Sequence, residues 1–192
     1  MHSAECCCSY MKTMHDDILE VLLTEEEIAK RIDEVAAEIR RDFADKHPLF
    51  IGVLRGSFIF MADLVRKVDI PSTLDFMATS SYGKSTTSSG TITVTKDISA
   101  DIEGRHVIIV EDILDTGNTM AFLIDLLKAK KPASIHTCTL LDKPERRKVD
   151  ITADYYGFEV PDAFVVGYGL DFADDYRTLP YIGILKPEVY EK

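Results

Sequence analysis

No stretch of the chain approaches the roughly 18 consecutive apolar residues that a membrane-crossing helix needs. Nor do its first residues run from positive charge into an apolar segment, the mark of a secretory leader. A cytoplasmic location without a membrane partner is the expectation. Cysteine is scarce and poorly placed for cross-linking: Cys6, Cys7 and Cys8 are consecutive and Cys138 stands far away. That is neither a disulfide framework nor a C-x-x-C metal pattern, so reduced thiols are expected. Positive charge is in the minority, with 22 Lys and Arg against 33 Asp and Glu and a net charge of −11. An overall basic footprint for nucleic acid is therefore missing, and no nucleic-acid partner is expected. There is no internal repeat, no linker and no G-x-x-x-x-G-K-[ST] phosphate loop. Gly167-Tyr168-Gly169 lacks the third glycine of a dinucleotide fingerprint.

What is present is an ordinary globular composition, 46% apolar and 29% charged over 192 residues. That length buries a full core within one domain. Residues 1–15 match no element and read as a disordered tail, leaving 16–192 as a single domain.

Residues 24–43 predict a helix: Thr24 and Glu27 form a capping-box pair, and Ile28, Ile32, Val35, Ala36, Ile39 and Phe43 recur at helical spacing. Further helices are expected over 57–68 and 118–131. Short apolar or alternating β-branched runs predict strands at 49–54, 73–81, 91–97, 105–112, 134–141, 163–169 and 181–185. The alternation of strands and helices predicts an α/β fold, a doubly wound and mostly parallel central sheet with helices on both faces. Ligands of such sheets bind beyond the C-terminal ends of the strands.

One stretch, VIIVEDILDTGNTM (107–120), sits at such a place. A buried strand runs into Glu111 and Asp112; Asp115 follows, and then Thr116, Gly117, Asn118 and Thr119 lead into a helix. The free N–H groups and positive end of a helix suit a phosphate, which gains ~0.3–2 kcal/mol from the dipole. Three carboxylates beside a phosphate make sense when they serve other parts of the same ligand, such as hydroxyls, a metal ion or a proton donor. A sugar phosphate has that shape. Asp115 alone reads better as a helix cap; the whole constellation does not.

VIIVEDILDTGNT resembles the phosphoribosyl-diphosphate (PRPP) motif of type I phosphoribosyltransferases. LRGSFIFMADL, LDFMATSSYGKST, LLDKPERR and GFEVPDAFVVGYGLDFADDYRTLPYIG narrow the likeness to the hypoxanthine (hypoxanthine-guanine) phosphoribosyltransferases of the bacterial kind, over residues 16 to 186. The resemblance implies a small hood region and a mobile flap beside the doubly wound sheet. It implies magnesium-dependent transfer of a 5-phosphoribosyl group from PRPP to N9 of hypoxanthine or guanine, giving IMP or GMP and pyrophosphate.

The resemblance also implies roles. Asp115 handles the purine N7 proton, and residues Asp115 to Thr119 cradle the 5-phosphate. Glu111 and Asp112 face the ribose hydroxyls and Mg2+, with Asp171 a second metal contact. Lys143 meets the purine O6, Phe164 stacks on the base, and the backbone of Val165 reads its edge; Asp171 lies beside them. Arg55 and Gly56, after a cis peptide from Leu54, and Arg177 hold pyrophosphate. Ser81 and Tyr82 begin the flap, and the family implies a homodimer or homotetramer. Without the resemblance, Leu54-Arg55-Gly56-Ser57 is a strand-to-helix turn, Lys143 a solvated lysine, Phe164 a core residue and Arg146, Arg147 and Lys148 surface charge. A xanthine enzyme and a non-catalytic RNA-binding regulator of the same fold are the alternatives. The charge opposes the second.

Overall fold

Thr24 starts the first long helix as the sequence predicts. Its hydroxyl accepts from the Glu27 N–H at 3.3 Å, and the Glu27 carboxylate accepts from the Thr24 N–H at 2.8 Å. The computed structural model describes residues 13–81 and 92–191. After a single 3-10 turn (Met14–Asp17) come β1 (Ile18–Leu23), α1 (Glu25–Phe43), β2 (Leu49–Leu54), α2 (Phe58–Val68), β3 (Thr73–Ser81) and β4 (Ile92–Lys96). Then follow β5 (His106–Leu114), α3 (Asn118–Lys128), β6 (Ser134–Asp142), β7 (Tyr155–Glu159), β8 (Val165–Val166), β9 (Ile182–Leu185) and α4 (Pro187–Tyr190).

Six strands form the central sheet in the order β4-β3-β2-β5-β6-β7. Only the β3–β4 pairing is antiparallel. Along β5 the side chains alternate: Ile108 and Val110 join the core beneath α1 and α2, while Val107 and Ile109 join the core beneath α3. Because both faces are covered, the strand reads as an unbroken apolar run. The predicted face of α1 is the buried one, from Ile28 to Phe43. The expected doubly wound α/β architecture is therefore present. β1, β9 and β8 form a separate antiparallel sheet of three strands.

Several boundaries differ from the sequence expectation. The strand expected over 163–169 is only Val165–Val166, because Gly167, Tyr168 and Gly169 all turn into the left-handed region, with φ of 100°, 49° and 104°. The third long helix stops at Lys128 rather than 131, with Lys131 at φ 56°. β1 and β7 are additional strands. The tail expected over residues 1–15 falls mostly outside the described residues, and the flap loop from Tyr82 to Gly90 falls wholly outside them. Within the described part, His15 Nδ1 lies 2.7 Å from the Tyr181 hydroxyl. Among the described residues no helix is long and apolar enough to cross a membrane.

β2 and β5 are neighbours, yet the chain leaves them in opposite directions. β2 continues through α2 to β3 on one side, and β5 through α3 to β6 on the other. Such a reversal opens a crevice at the C-terminal ends of the two strands. Arg55-Gly56-Ser57 and Asp115-Thr116-Gly117 flank it.

Candidate active site

β5 runs two residues past the acids, so Glu111 and Asp112 stand on its last turns rather than in a loop. Glu111 is 8% exposed. Burial, with the Asp112 charge adding to it, pushes the Glu111 carboxyl up to about 8. Burial also pushes Asp112 up to about 6, against backbone N–H donors and the Arg177 charge; the Asp171 charge raises it further. Two crowded acids that resist ionisation form a place where added positive charge is favourable.

Asp115 sits where two cavities meet. One, of about 220 Å³, runs along the start of α3 past Thr116, Gly117 and Thr119. The other, of about 370 Å³, is walled by Lys143, Phe164, Val165 and Asp171. Ile113 and Asp115 line both. Asp115 Oδ1 lies 2.8 Å from Arg146 Nε in an ion pair half open to solvent. Beyond that cation no hydrogen-bond donor among the described residues serves this buried oxygen, which stands at the junction of the cavities. Gly117 heads α3 at φ 83°, and the Asn118 N–H points to Thr116 Oγ1 at 3.4 Å.

In the larger cavity Lys143 is 7% exposed and donates to the Ala163 carbonyl at 2.6 Å. Burial lowers its pKa, while the Asp115 and Asp162 charges oppose that. The Phe164 ring has one neighbour stacked at 4.9 Å, Tyr190, and one edge-on, Phe172. Tyr190 does not line the cavity.

The third group lies across the crevice. The Leu54–Arg55 peptide is cis, as the resemblance implied. Arg55 and Arg177 both reach Asp174, at 2.5 and 3.4 Å. Arg177 also pairs with Asp171 at 2.7 Å and donates to the Gly169 carbonyl at 2.7 Å. The sequence-predicted residues in the described part thus gather in one crevice. Ser81 ends β3 at the same edge of the sheet, and Tyr82 lies outside the described residues.

Sequence reasoning missed four residues. Ile113 is a shared wall. Asp174 joins the two arginines. Arg146 is not simply a solvated charge, since it bridges Asp115 and Asp162. Arg147 is the clearest correction: it is largely buried, donates to the carbonyls of Leu114 (2.9 Å) and Asp115 (2.5 Å), and pairs with Asp142. The Lys148 N–H donates to the Thr116 carbonyl at 2.9 Å, extending the bracket over the loop that leads into α3. The apolar residues Val149 and Ile151 just after the basic run, which pack near Gly117, were the available signal.

A parallel sheet with a hood and a crevice of acids beside a helix start is the architecture of a phosphoribosyltransferase. The family model described as "Phosphoribosyl transferase domain" matches residues 19–173. Among curated proteins the chain is 54% identical to the hypoxanthine-guanine phosphoribosyltransferase of Bacillus subtilis, over 93% of this chain and 99% of that protein. It is 48% identical to the enzyme of that name from Streptococcus agalactiae, over 93% and 99%. Among solved structures, a hypoxanthine phosphoribosyltransferase from Staphylococcus aureus superposes with a TM-score of 0.91 at 48% identity, covering 95% of this chain and all of that one. The chain belongs to the bacterial hypoxanthine-guanine phosphoribosyltransferase family, within the type I phosphoribosyltransferases.

Proposed function

We propose that the chain transfers the 5-phosphoribosyl group of PRPP to N9 of hypoxanthine and guanine, releasing pyrophosphate and forming IMP and GMP in purine salvage. The observation that carries the reading is Asp115, one of whose carboxylate oxygens is buried with only the Arg146 cation beside it, standing between a cavity at a helix start and a larger cavity with an aromatic wall.

The residues divide the work. In the smaller cavity, the loop from Asp115 to Thr119 holds the 5-phosphate through backbone N–H groups and hydroxyls. In the larger one, Phe164 and Ile113 enclose the base between them. Lys143 leaves the Ala163 carbonyl to donate to the purine O6, and Val165 presents backbone to the base edge. An ammonium donor accepts a 6-oxo group and opposes a 6-amino group. Oδ1 of Asp115 takes the N7 proton as N9 attacks the ribosyl carbon, and proton transfer of this kind contributes roughly 10²–10⁴-fold. The carboxylates on β5 favour the positive charge that develops on the ribose ring. Arg55, the Gly56 backbone and Arg177 receive the departing diphosphate.

Glu111 and Asp112, whose carboxyls burial pushes up, fit a divalent cation, with Asp171 nearby as a further oxygen donor. Among the described residues no three such side chains already converge on one point, so these acids would hold magnesium jointly with substrate oxygens. Magnesium, when bound, neutralises diphosphate charge and eases its departure. Exposed apolar side chains at Leu19, Val21, Phe58 and Leu74 give surface for self-association, and a homodimer or homotetramer belongs to the same proposal.

The test is a product assay. The protein is mixed with PRPP, magnesium and one base at a time: hypoxanthine, guanine, xanthine or adenine. Turnover to IMP and GMP is expected. XMP as the main product would reassign the substrate, and no nucleotide from any base would reject the enzyme reading.

A further inference from the structure

Tyr168 occupies a backbone conformation that a tyrosine seldom adopts, between two glycines that also have positive φ. Reciprocal backbone hydrogen bonds between Gly167 and Leu170 close this turn. The ring is buried, and its hydroxyl donates to the Asp63 carboxylate on α2. Burial first, and that carboxylate second, keep the phenol protonated far above any working pH, so it stays a donor.

The other side of the same turn touches the crevice. A Cβ on Gly169 would lie 2.0 Å from the Gly56 carbonyl oxygen, so the two backbones are in direct contact. Gly56 in turn lies against the Asp112 carboxylate, where a Cβ would approach Oδ2 to 1.7 Å. Gly169 is also tied to Arg177 twice, through its N–H to the Arg177 carbonyl at 2.9 Å and its carbonyl to Arg177 Nη1 at 2.7 Å. α2 starts at Phe58, directly after the Arg55-Gly56-Ser57 loop. The contacts therefore form a closed ring: loop, α2, Asp63, Tyr168, Gly169 and back to Gly56.

We propose that Asp63 and Tyr168 are positioning residues for the diphosphate end of the site: their hydrogen bond seats Gly169 on Gly56 and so fixes the loop of Arg55 and the side chain of Arg177. Neither residue lines the two active-site cavities. The inference rests on the assignment of Arg55, Gly56 and Arg177 to pyrophosphate. It adds that the strength of that grip is set from outside the crevice, by one hydrogen bond on the far face of the turn.

The experiment compares wild type, Tyr168→Phe, Asp63→Asn and the double variant. KM for PRPP, KM for hypoxanthine, kcat and inhibition by pyrophosphate are measured, and each fold is checked by circular dichroism. A hydrogen bond to a charged group is worth roughly 10–100-fold, and because Tyr168 acts through Gly169 only part of that reaches the loop, so Tyr168→Phe raises KM for PRPP and the pyrophosphate inhibition constant by roughly three- to tenfold. KM for hypoxanthine changes less than KM for PRPP, within about twofold, because Gly169 and Gly56 do not line the base cavity and Leu170, the residue of the turn that does, is held by its own backbone bonds to Gly167. Asp63→Asn keeps an acceptor and shows a smaller effect. The double variant shows less than the sum of the two single effects on KM for PRPP, as partners in one contact require, and the exposed Arg66–Asp63 pair that both Asp63 variants also lose adds little. Unchanged PRPP and pyrophosphate constants, or equal losses for PRPP and hypoxanthine, would overturn the inference. Calorimetric titration with pyrophosphate and magnesium gives the same contrast without turnover. A wild type that forms no nucleotide, yet binds pyrophosphate more tightly than Tyr168→Phe does, would reject the reaction and keep the positioning role.

Discussion

The guanidinium of Arg147 donates to the backbone carbonyl of Asp115 at 2.5 Å while its other end pairs with Asp142. A residue of β6 and a residue just beyond β5 are thereby held at fixed separation. Removing one partner of a buried ion pair typically costs about 3–5 kcal/mol, so Arg147→Ala should lose stability on that scale in urea unfolding. Arg147→Lys keeps the charge but not the fork that reaches two carbonyls and a carboxylate. It should remain folded and lose up to ~10²-fold in kcat/KM, since small misplacements of a reacting group are that costly. A lysine variant with full activity would show that the bracket does not position Asp115.

Asp115→Asn replaces the carboxylate by an amide that cannot take a proton. A fall in kcat of roughly 10²–10⁴-fold is expected, with little change in unfolding midpoint, because the ion pair to Arg146 that is lost is half exposed and such pairs contribute little. Single-turnover measurement of IMP formation reads it directly. Near-normal turnover would remove Asp115 from the proton transfer.

Lys143→Gln presents an amide where an ammonium stood. Losing a charged hydrogen bond worth about 1.5–3 kcal/mol predicts a drop of roughly 10–100-fold in kcat/KM for hypoxanthine. Adenine should lose less, so the ratio between the two bases narrows. Competition between the bases in one vessel, followed by chromatography, gives the ratio. A preserved ratio would place base choice elsewhere in the cavity.

Asp75 offers a pH test away from the crevice. Burial alone would raise its pKa, but N–H donors from Ala100, Phe76 and Ser99 together with Lys96 outweigh it and hold it low. Its carboxylate ties β3 to the segment after β4, accepting from Ser99 at 2.6 Å and Ala100 at 2.8 Å. A folded pKa below the unfolded value, about 3.9, means the stabilisation is complete above that pH and is lost as pH falls through the folded value. Asp75→Asn should therefore unfold more easily at pH 7, by about 1–3 kcal/mol, with the gap to wild type closing below about pH 4. A gap that persists in acid would mean the loss is one of shape rather than charge.

The elements legible in the sequence were those whose signals are local. α1 carries its cap and its apolar stripe within twenty residues, and β5 with α3 shows a buried run, a turn and a helix in succession. β1 was not legible, because it is half exposed and its partner β9 lies at the other end of the chain. β7 is an edge strand with a mixed pattern, and Val165–Val166 was overread because the turn at Gly167 depends on contacts with distant backbone. In the site, the acids of β5 announced themselves through an unusual pattern. Arg55, Lys143, Phe164 and Arg177 were legible only through resemblance. Arg147 looked solvated among neighbouring cations; the place of its side chain is decided by the meeting of β5 and β6, which no local pattern records.

The shared wall of Ile113 and Asp115 has a consequence for how the molecule ends its cycle. On the proposed assignment, base and phosphate would enter adjoining chambers as parts of separate molecules and leave joined. A nucleotide spans both chambers and loses translational freedom only once, so the second half docks at high effective concentration. The product is thus the ligand that the empty protein should hold better than the base alone, and nucleotide release is the step whose rate should respond first when either chamber is loosened.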